Sequence, residues 1–129
     1  MTKAKNKKIR GTAAADQLIG TTENDRIFGL AGDDLIASGE GRDKVRGGKG
    51  NDTFVTVNGG KGFVKILDFE VGDVVEFCGC RSTRVEQRGK NAWIVKGDDV
   101  KAVLKGIDAA DLDLDFKEAT ITLALDPLV

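Results

Sequence analysis

Apolar side chains recur every nine residues through the first half of the chain. In blocks of nine, residues 11–55 run GTAAADQLI, GTTENDRIF, GLAGDDLIA, SGEGRDKVR and GGKGNDTFV. The eighth place of each block is always apolar: Leu18, Ile27, Ile36, Val45 and Phe54. The six places before each apolar segment are rich in glycine and polar residues. This pattern predicts that each block forms a turn followed by a very short strand with one buried face.

One such unit cannot bury its apolar residue alone, but stacked units share a core, as in solenoids. Two blocks would form one coil of 18 residues, so that odd blocks stack on one side and even blocks on the other. The apolar residues then form two facing ladders, Leu18–Ile36–Phe54 and Ile27–Val45. We therefore expect an all-β fold with a parallel β-roll of nonapeptide repeats over residues 11–62.

Aspartate occupies the sixth place of all five blocks: Asp16, Asp25, Asp34, Asp43 and Asp52. Stacking places these residues in two columns, Asp16–Asp34–Asp52 and Asp25–Asp43. Neighbouring strands lie about 4.8 Å apart, and carboxylates this close repel each other or take up protons. A calcium ion relieves this repulsion, because it accepts about six to eight oxygen ligands in flexible geometry, whereas magnesium fits less well. Ordinary Asp turns are the alternative, but they do not explain five in register.

The second half of the chain has shorter apolar segments separated by turn residues. We predict strands at Phe63–Leu67, Val74–Phe77, Arg84–Gln87, Ala92–Val95, Val100–Leu104 and Thr120–Leu125, and one helical turn within Asp108–Leu112. Residues 63–129 would form an antiparallel, β-sandwich-like cap over the open end of the roll. Cys78 and Cys80 are expected to be free thiols, with a disulfide as the alternative.

Composition narrows the function. Histidine is absent, which excludes a Ser-His-Asp triad, a Cys-His pair and an H-E-x-x-H zinc site. Since no other catalytic constellation stands apart from the aspartates, we predict that the chain is not an enzyme. The formal net charge of −1 argues against a general nucleic-acid binder. No apolar stretch approaches the roughly 18–20 residues of a membrane helix.

The two ends of the chain differ in charge. Residues 1–10 contain five cations and no acid, and no apolar segment follows as in a secretory signal peptide. We expect a basic, flexible tail here, with a basic arm for an anionic surface as the alternative. Residues 108–129 contain six acids and one cation.

The repeats resemble a known family. Gly47–Val55 is similar to the G-G-x-G-x-D-x-U-x repeat of RTX, or haemolysin-type, calcium-binding proteins. Ile66–Val75 resembles the I-x-D-F-x-x-G-D segment that follows the repeats in secreted RTX proteases. Leu104–Ile107 and Leu112–Phe116 resemble the L-x-G-V…L…D-F close of such domains. The resemblance covers roughly residues 10–116.

The resemblance implies how calcium would be held. In the family, one turn gives its Asp and the carbonyls of places two and four, and the turn two repeats later gives its Asp and the carbonyls of places one and three. The implied ligand sets are Leu30, Gly32, Asp34, Gly47, Lys49 and Asp52; Thr21, Glu23, Asp25, Ser38, Glu40 and Asp43; and Thr12, Ala14, Asp16, Gly29, Ala31 and Asp34. We expect two to three ions. We expect no strong further site in residues 56–65, which contain no acid.

The leading hypothesis is a secreted bacterial calcium-binding module that folds when calcium binds. Asp126–Val129 resembles the C-terminal ending of type I secretion substrates, which implies export without a leader to the outside of the cell. An adhesive module for an anionic polysaccharide such as alginate is the alternative, with a candidate patch at Lys61, Lys65, Arg81, Arg84, Arg88 and Lys90 that could equally be a solvated face. A regulatory partner of a separate secreted enzyme is a third hypothesis.

Overall fold

The structure is a computed structural model, and it describes residues 7–56 and 62–123. The first eight strands are β1 (Lys7–Arg10), β2 (Gln17–Ile19), β3 (Asp25–Phe28), β4 (Leu35–Ala37), β5 (Gly41–Arg46), β6 (Thr53–Val55), β7 (Gly62–Ile66) and β8 (Val74–Glu76). The later elements are β9 (Thr83–Arg88), β10 (Asn91–Lys96), β11 (Asp99–Leu104), a 3₁₀ turn at Ala109–Asp111, β12 (Leu112–Asp115) and β13 (Thr120–Leu123).

Successive strands of the repeats alternate between two sheets. One sheet has the order β1-β3-β5-β7-β11-β10-β9, and the other has the order β12-β13-β8-β6-β4-β2. All pairs from β1 to β8 are parallel. From β1 to β6, residues 18 apart lie side by side, as in Ile27 beside Val45 and Leu18 beside Ile36. The predicted β-roll, with two nonapeptides in each coil, is confirmed.

The core lies between the two sheets and consists of the predicted apolar ladders. Ile27 and Val45 are fully buried and face the second ladder, in which Ile36 and Phe54 are each 1% exposed. Both ladders continue beyond the repeats, to Ile66, Leu104, Val75 and Ile121. Full burial of such a side chain contributes about 1.5–3 kcal/mol, so each added coil stabilises the fold through its two apolar residues.

The roll continues past the last nonapeptide. Strand β7 pairs in parallel with β5, and β8 pairs in parallel with β6. The nine-residue period ends at residue 55. A further coil, formed by β7 and β8, follows it, and its residues lie 21 rather than 18 positions after their partners in β5 and β6. The parallel part of the fold therefore runs beyond residue 62, where we expected the cap to begin.

The remaining strands extend both sheets of the roll. Strand β11 pairs in parallel with β7, then β10 and β9 follow antiparallel, and in the other sheet β13 and β12 follow β8 antiparallel. Antiparallel strands thus close the C-terminal end, as predicted. The expected helical turn is the 3₁₀ turn at Ala109–Asp111, where the Asp108 side chain accepts a hydrogen bond from the Ala110 N–H. Residues 124 and 125 of the last predicted strand lie outside the described residues.

Two local expectations differ from the structure. Lys7–Arg10 is strand β1 rather than part of a frayed tail, because Ile9 lies beside Ile27 and extends its ladder by one residue. Cys78 and Cys80 are joined by a disulfide rather than free. The turn at Gly79, with a φ of +72°, brings their Cα atoms to 5.1 Å, within the range that a disulfide spans. Across the described ranges, no helix has the length and apolar character needed to cross a membrane.

Candidate metal centre

Four of the sixth-place aspartates lie where a turn enters its strand, and Asp43 is the third residue of β5. The side chains are directed into the roll. Asp25 and Asp34 are each 2% exposed, Asp43 is 1% exposed and Asp52 is fully buried. Asp16, in the first coil, is partly exposed because no repeat precedes it in its column. The predicted columns therefore exist, and four of their five carboxyl groups are removed from solvent.

One carboxylate oxygen of each of Asp34, Asp43 and Asp52 links adjacent coils. Asp34 Oδ1 accepts the backbone N–H of Asp16 at 2.8 Å, and Asp43 Oδ1 accepts that of Asp25 at 2.7 Å. Asp52 Oδ1 accepts the N–H of Asp34 at 3.0 Å. Each bond joins residues 18 apart, so every coil is hydrogen-bonded to the next through its aspartate. A hydrogen bond with an ionised acceptor is stronger than a neutral one, which favours this stacking.

The second carboxylate oxygen has no such partner. Oδ2 of Asp34, Asp43 and Asp52 is buried, and none of the three accepts a hydrogen bond from any described residue. Burying an unsatisfied polar atom costs about 1–3 kcal/mol, and more when the group is charged. Three such atoms at equivalent places of three turns need a partner that residues 7–56 and 62–123 do not supply. A cation bound at these oxygens would meet that need.

Burial also changes how these groups hold protons. Desolvation raises the pKa of Asp43 and of Asp52 to about 7, from an ordinary value of 3.8. It raises the pKa of Asp34 and, to about 6, that of Asp73. Nearby carboxylates add to the shift, while hydrogen bonds from the backbone oppose it. Ionisation of the aspartates that carry the unsatisfied oxygens is therefore unfavourable in the metal-free roll.

Backbone carbonyls of the next coil lie beside these carboxylates. The first-place glycines show this, because a Cβ atom added there would meet oxygens of both groups. At Gly11 it would lie 2.6 Å from Asp16 Oδ2 and 2.8 Å from the Gly29 carbonyl oxygen. At Gly29 it would contact Asp34 Oδ2 and lie 2.6 Å from the Gly47 carbonyl oxygen. The same arrangement at Gly20 brings together Asp25 Oδ2 and the Ser38 carbonyl oxygen, also predicted partners.

The predicted carbonyls of places two and four follow the stacking as well. The Leu30 carbonyl accepts the Lys49 N–H at 2.9 Å, and the Thr12 carbonyl accepts the Ala31 N–H at 3.3 Å. A carbonyl oxygen has a second lone pair, so these bonds leave it able to bind a cation. The fourth-place carbonyls of Ala14, Gly32 and Glu23 lie against the glycine two blocks later. The Lys49 and Glu40 side chains are exposed, so only their backbone could contribute.

The first two turns satisfy their carboxylates differently. Asp25 Oδ2 accepts the N–H of Thr21 at 2.7 Å and the Thr21 hydroxyl at 3.1 Å. Asp16 Oδ2 accepts the N–H and the hydroxyl of Thr12 at 2.6 and 3.0 Å. These threonines occupy the second place, where the later blocks have Leu30, Gly39 and Gly48. Of the three predicted ligand sets, the one with Asp34 and Asp52 thus has the most unsatisfied oxygen.

Two further aspartates belong to this arrangement, and the nonapeptide period did not predict them. Asp73 Oδ1 accepts the N–H of Asp52 at 2.9 Å, so Asp73 extends the first column by one member. Asp68 accepts the N–H groups of Gly47 and Gly48, both at 2.9 Å. Asp73 follows Asp52 by 21 residues rather than 18. The available signal was the Ile66–Val75 segment, which contains both residues.

The donor set is made of oxygens alone. Among residues 7–56 and 62–123, no three acidic or cysteine side chains converge as a metal cluster, so a site here must combine carboxylates with backbone carbonyls. Hard oxygen donors of this kind suit calcium, which tolerates mixed ligands and irregular geometry. The buried Oδ2 atoms and the adjacent carbonyls fit such an ion.

Comparison with known proteins agrees with this chemistry. The family described as the RTX calcium-binding nonapeptide repeat, in four copies, matches residues 10–45 and 36–63. No curated protein matches the chain. Among solved structures, the chain is similar to the solution structure of the AlgE6R3 subunit of the Azotobacter vinelandii mannuronan C5-epimerase. That match has 26% identity and a TM-score of 0.62, and covers 81% of this chain and 73% of the other. The structural neighbour is thus part of an epimerase, not of a protease.

Proposed function

We propose that this protein is a secreted, non-catalytic RTX calcium-binding module whose roll completes its fold only when calcium binds. The observation that carries the proposal is the set of three buried Oδ2 atoms, on Asp34, Asp43 and Asp52, that no described residue satisfies. The protein resembles a non-catalytic RTX β-roll module, and the absence of histidine removes the commonest general base.

The ligand sets proposed for two to three ions are those that the family pattern implies. The Asp34 and Asp52 set is the best supported, since Oδ2 of both residues is buried and unsatisfied. The set that contains Asp43 is next. Bound calcium supplies positive charge and open coordination positions for carboxylate and carbonyl oxygens.

The chain itself explains why folding would depend on that ion. Burial and, after it, the charge of neighbouring carboxylates raise the pKa of Asp34 and Asp52, so the ionised, metal-free roll is destabilised by its own charge. Each coil buries only two ladder residues, which is little apolar surface for 18 residues. A ligand that binds only the folded state adds about 4 kcal/mol of stability at 1,000 times its Kd. In calcium-poor surroundings the repeats would remain unfolded and would fold after export.

RTX repeats are typical of proteins that bacteria secrete. The type I route is our proposal for this chain, based on the resemblance of Asp126–Val129 to the ending of type I substrates. Those four residues lie outside the described part of the chain. Export from a host that carries a type I apparatus, compared with a variant truncated after residue 123, tests this route.

Calcium titration of metal-stripped protein tests the main proposal. Far-UV circular dichroism should show a cooperative gain of β signal with calcium, and a much smaller gain with magnesium. Asp34→Asn should weaken the response, because the substitution keeps the shape of the side chain but removes its charge. The exposed Asp98→Asn, outside the columns, is the matched control and should respond like the wild type. A metal-free protein that is already folded and indifferent to calcium would overturn the proposal.

An anionic polysaccharide is the second candidate partner. The structural neighbour belongs to a mannuronan C5-epimerase, and mannuronan is a polymer of uronic acids. The patch predicted from sequence gives limited support. Arg84 and Arg88 are both paired with Glu86, at 2.6 and 2.7 Å, which offsets part of their charge. Lys61 lies outside the described residues, and Lys65 lies on β7 in a different cationic surface.

A further inference from the structure

On the outer face of the first sheet, every charged residue of strands β1, β3, β5 and β7 is a cation. The acidic Glu86 lies on the same face but three strands farther along, on β9. The parallel register places Lys8 beside Arg26, Arg26 beside Lys44, and Lys44 beside Lys65. We call these four residues the cationic row. Its neighbours on the same face are Arg10, Arg42 and Arg46. No acidic side chain occupies an outward position on the described residues of these four strands.

The other sheet provides an internal comparison. Outward positions of β2, β4 and β6 carry no charged residue, and those of β8 and β12 carry Glu76, Asp113 and Asp115. The four strands of the first sheet thus present seven cations outward, whereas the described outer face of the other sheet presents none. A mere need for solubility would be met by mixed charges on both faces. The segregation indicates that one face has a partner of negative charge.

The cationic row is costly without such a partner. Like charges directly opposite on adjacent strands destabilise a sheet. The strands are about 4.8 Å apart, and the only salt bridges among residues 7–56 and 62–123 are those of Glu86 with Arg84 and Arg88. The row thus has no carboxylate of its own in the described chain. Lys8 contacts an aromatic ring instead, with its Nζ 5.7 Å from the centroid of Phe28.

The shape of the face suits an extended chain. Arg26 and Lys44 line two adjoining depressions of about 300 and 220 Å³, one bounded by Phe28 and Arg46 and the other by Arg42. Arg26, Arg42, Lys44 and Arg46 are all exposed. Because each cation of the row comes from a different coil, the row runs along the roll axis, across the strands. A linear polymer with one carboxylate on each sugar would meet successive cations in this direction.

We propose that the cationic row and its flanking arginines form a binding surface for a linear polyuronate. The side chains bind carboxylates by charge, and the partly buried Phe28 and Phe63 offer apolar contact for sugar rings. The inference rests on the calcium-dependent fold proposed above, because only the stacked coils align the row. Calcium would therefore act on polymer binding through the fold, and by linkage the polymer would strengthen calcium binding.

A mannuronate oligomer of defined length, fluorescently labelled, is the probe. Its affinity is measured by anisotropy at fixed free calcium for the wild type, for Arg26→Gln with Lys44→Gln, and for Lys117→Gln. The last variant is the control, since Lys117 is exposed and lies in the turn between β12 and β13 of the other sheet. A cation near an anionic surface is worth about a factor of five in affinity, so the row variant should bind roughly 25-fold more weakly. The control should stay within about twofold, and added salt should weaken wild-type binding.

Several outcomes would overturn the inference. These are wild-type affinity in the row variant, equal competition by neutral dextran, or stronger competition by a DNA duplex than by the polyuronate. Circular dichroism of the same samples separates the two proposals. A row variant that folds with calcium but loses the oligomer supports the surface, whereas a wild type that binds the oligomer and never responds to calcium contradicts only the calcium-coupled fold.

Discussion

The backbone N–H of Asp34 donates to Oδ1 of Asp52 at 3.0 Å and joins two adjacent coils of the roll. The same Asp52 carboxylate leaves its Oδ2 buried and without a partner in the described chain. One oxygen therefore serves the stacking of the backbone, and the other remains for a cation.

Asp52→Asn should weaken calcium binding by roughly tenfold or more, about 1.4 kcal/mol for each factor of ten. The amide keeps an oxygen for the Asp34 N–H but removes the charge next to the unsatisfied position. Asp16→Asn should have a smaller effect, because Thr12 already satisfies that carboxylate. Calorimetric titration of both variants with calcium would measure the difference. Equal losses of calcium affinity in the two variants would show that an unsatisfied Oδ2 atom does not determine how strongly a site binds calcium.

Without calcium, the roll should be more stable in acid than at neutral pH. The folded-state pKa of Asp43 and Asp52 is raised to about 7 from 3.8 by burial. A raised pKa means that the folded state holds protons more tightly, so this stabilisation is complete below about pH 4 and is lost as the pH rises through 7. The total change should be on the order of a few kcal/mol. Urea unfolding in calcium-free buffer between pH 4 and 8 measures it.

Calcium should reverse this pH dependence. Protons and calcium compete for the same carboxylates, so calcium affinity should rise as the pH increases toward 8. Calcium titrations at pH 5.5 and 8 would measure the change. A calcium affinity independent of pH would place the ion away from the buried aspartates.

Gly29→Ala should abolish calcium-dependent stabilisation in its coil. The added Cβ would occupy the space between Asp34 Oδ2 and the Gly47 carbonyl oxygen, two of the proposed ligands. Gly89→Ala is the control. Gly89 has a φ of +61° with nothing within 4 Å of a Cβ, so alanine there costs about 1–2 kcal/mol of backbone strain and no ligand space. Thermal unfolding with and without calcium distinguishes a lost site from a general loss of stability.

Asp68→Asn should loosen the turn at Gly47 and Gly48. The carboxylate accepts both N–H groups, one on each oxygen, and an amide has only one oxygen to offer. Leaving one partly buried N–H without its acceptor should cost about 1–3 kcal/mol. Amide hydrogen exchange at these two glycines is the measurement. Unchanged protection would mean that the last turn is held by other contacts.

The regular part of this molecule was predictable because its period is strict. Five aspartates and five apolar residues at nine-residue spacing determine the strands, the two ladders and the columns. Asp73 was not predicted by the period, because it follows Asp52 by 21 residues, three more than the 18 residues of a regular coil. Strand β1 was not predicted, because Ile9 is its only ladder residue and the charges of the surrounding segment indicated a flexible tail. The Cys78–Cys80 disulfide depends on the backbone turn at Gly79, which composition does not reveal.

The cationic row shows a different limit. Arg26 and Lys44 both occupy the seventh place of even blocks, so their alignment follows from the 18-residue coil. Lys8 and Lys65 lie outside the five blocks, and only the pairing of β1 and β7 brings them into line. A surface of this kind becomes visible once strand register is known.

The two-block coil also restricts how such a protein can change in length during evolution. Duplicating 18 residues adds a coil and keeps every later strand in its own sheet. Duplicating a single block of nine would send each later strand to the opposite sheet and exchange the faces on which charged and neutral side chains emerge. Insertions and deletions tolerated by this roll should therefore come in pairs of blocks, so that related rolls keep an odd number of blocks even where individual residues change.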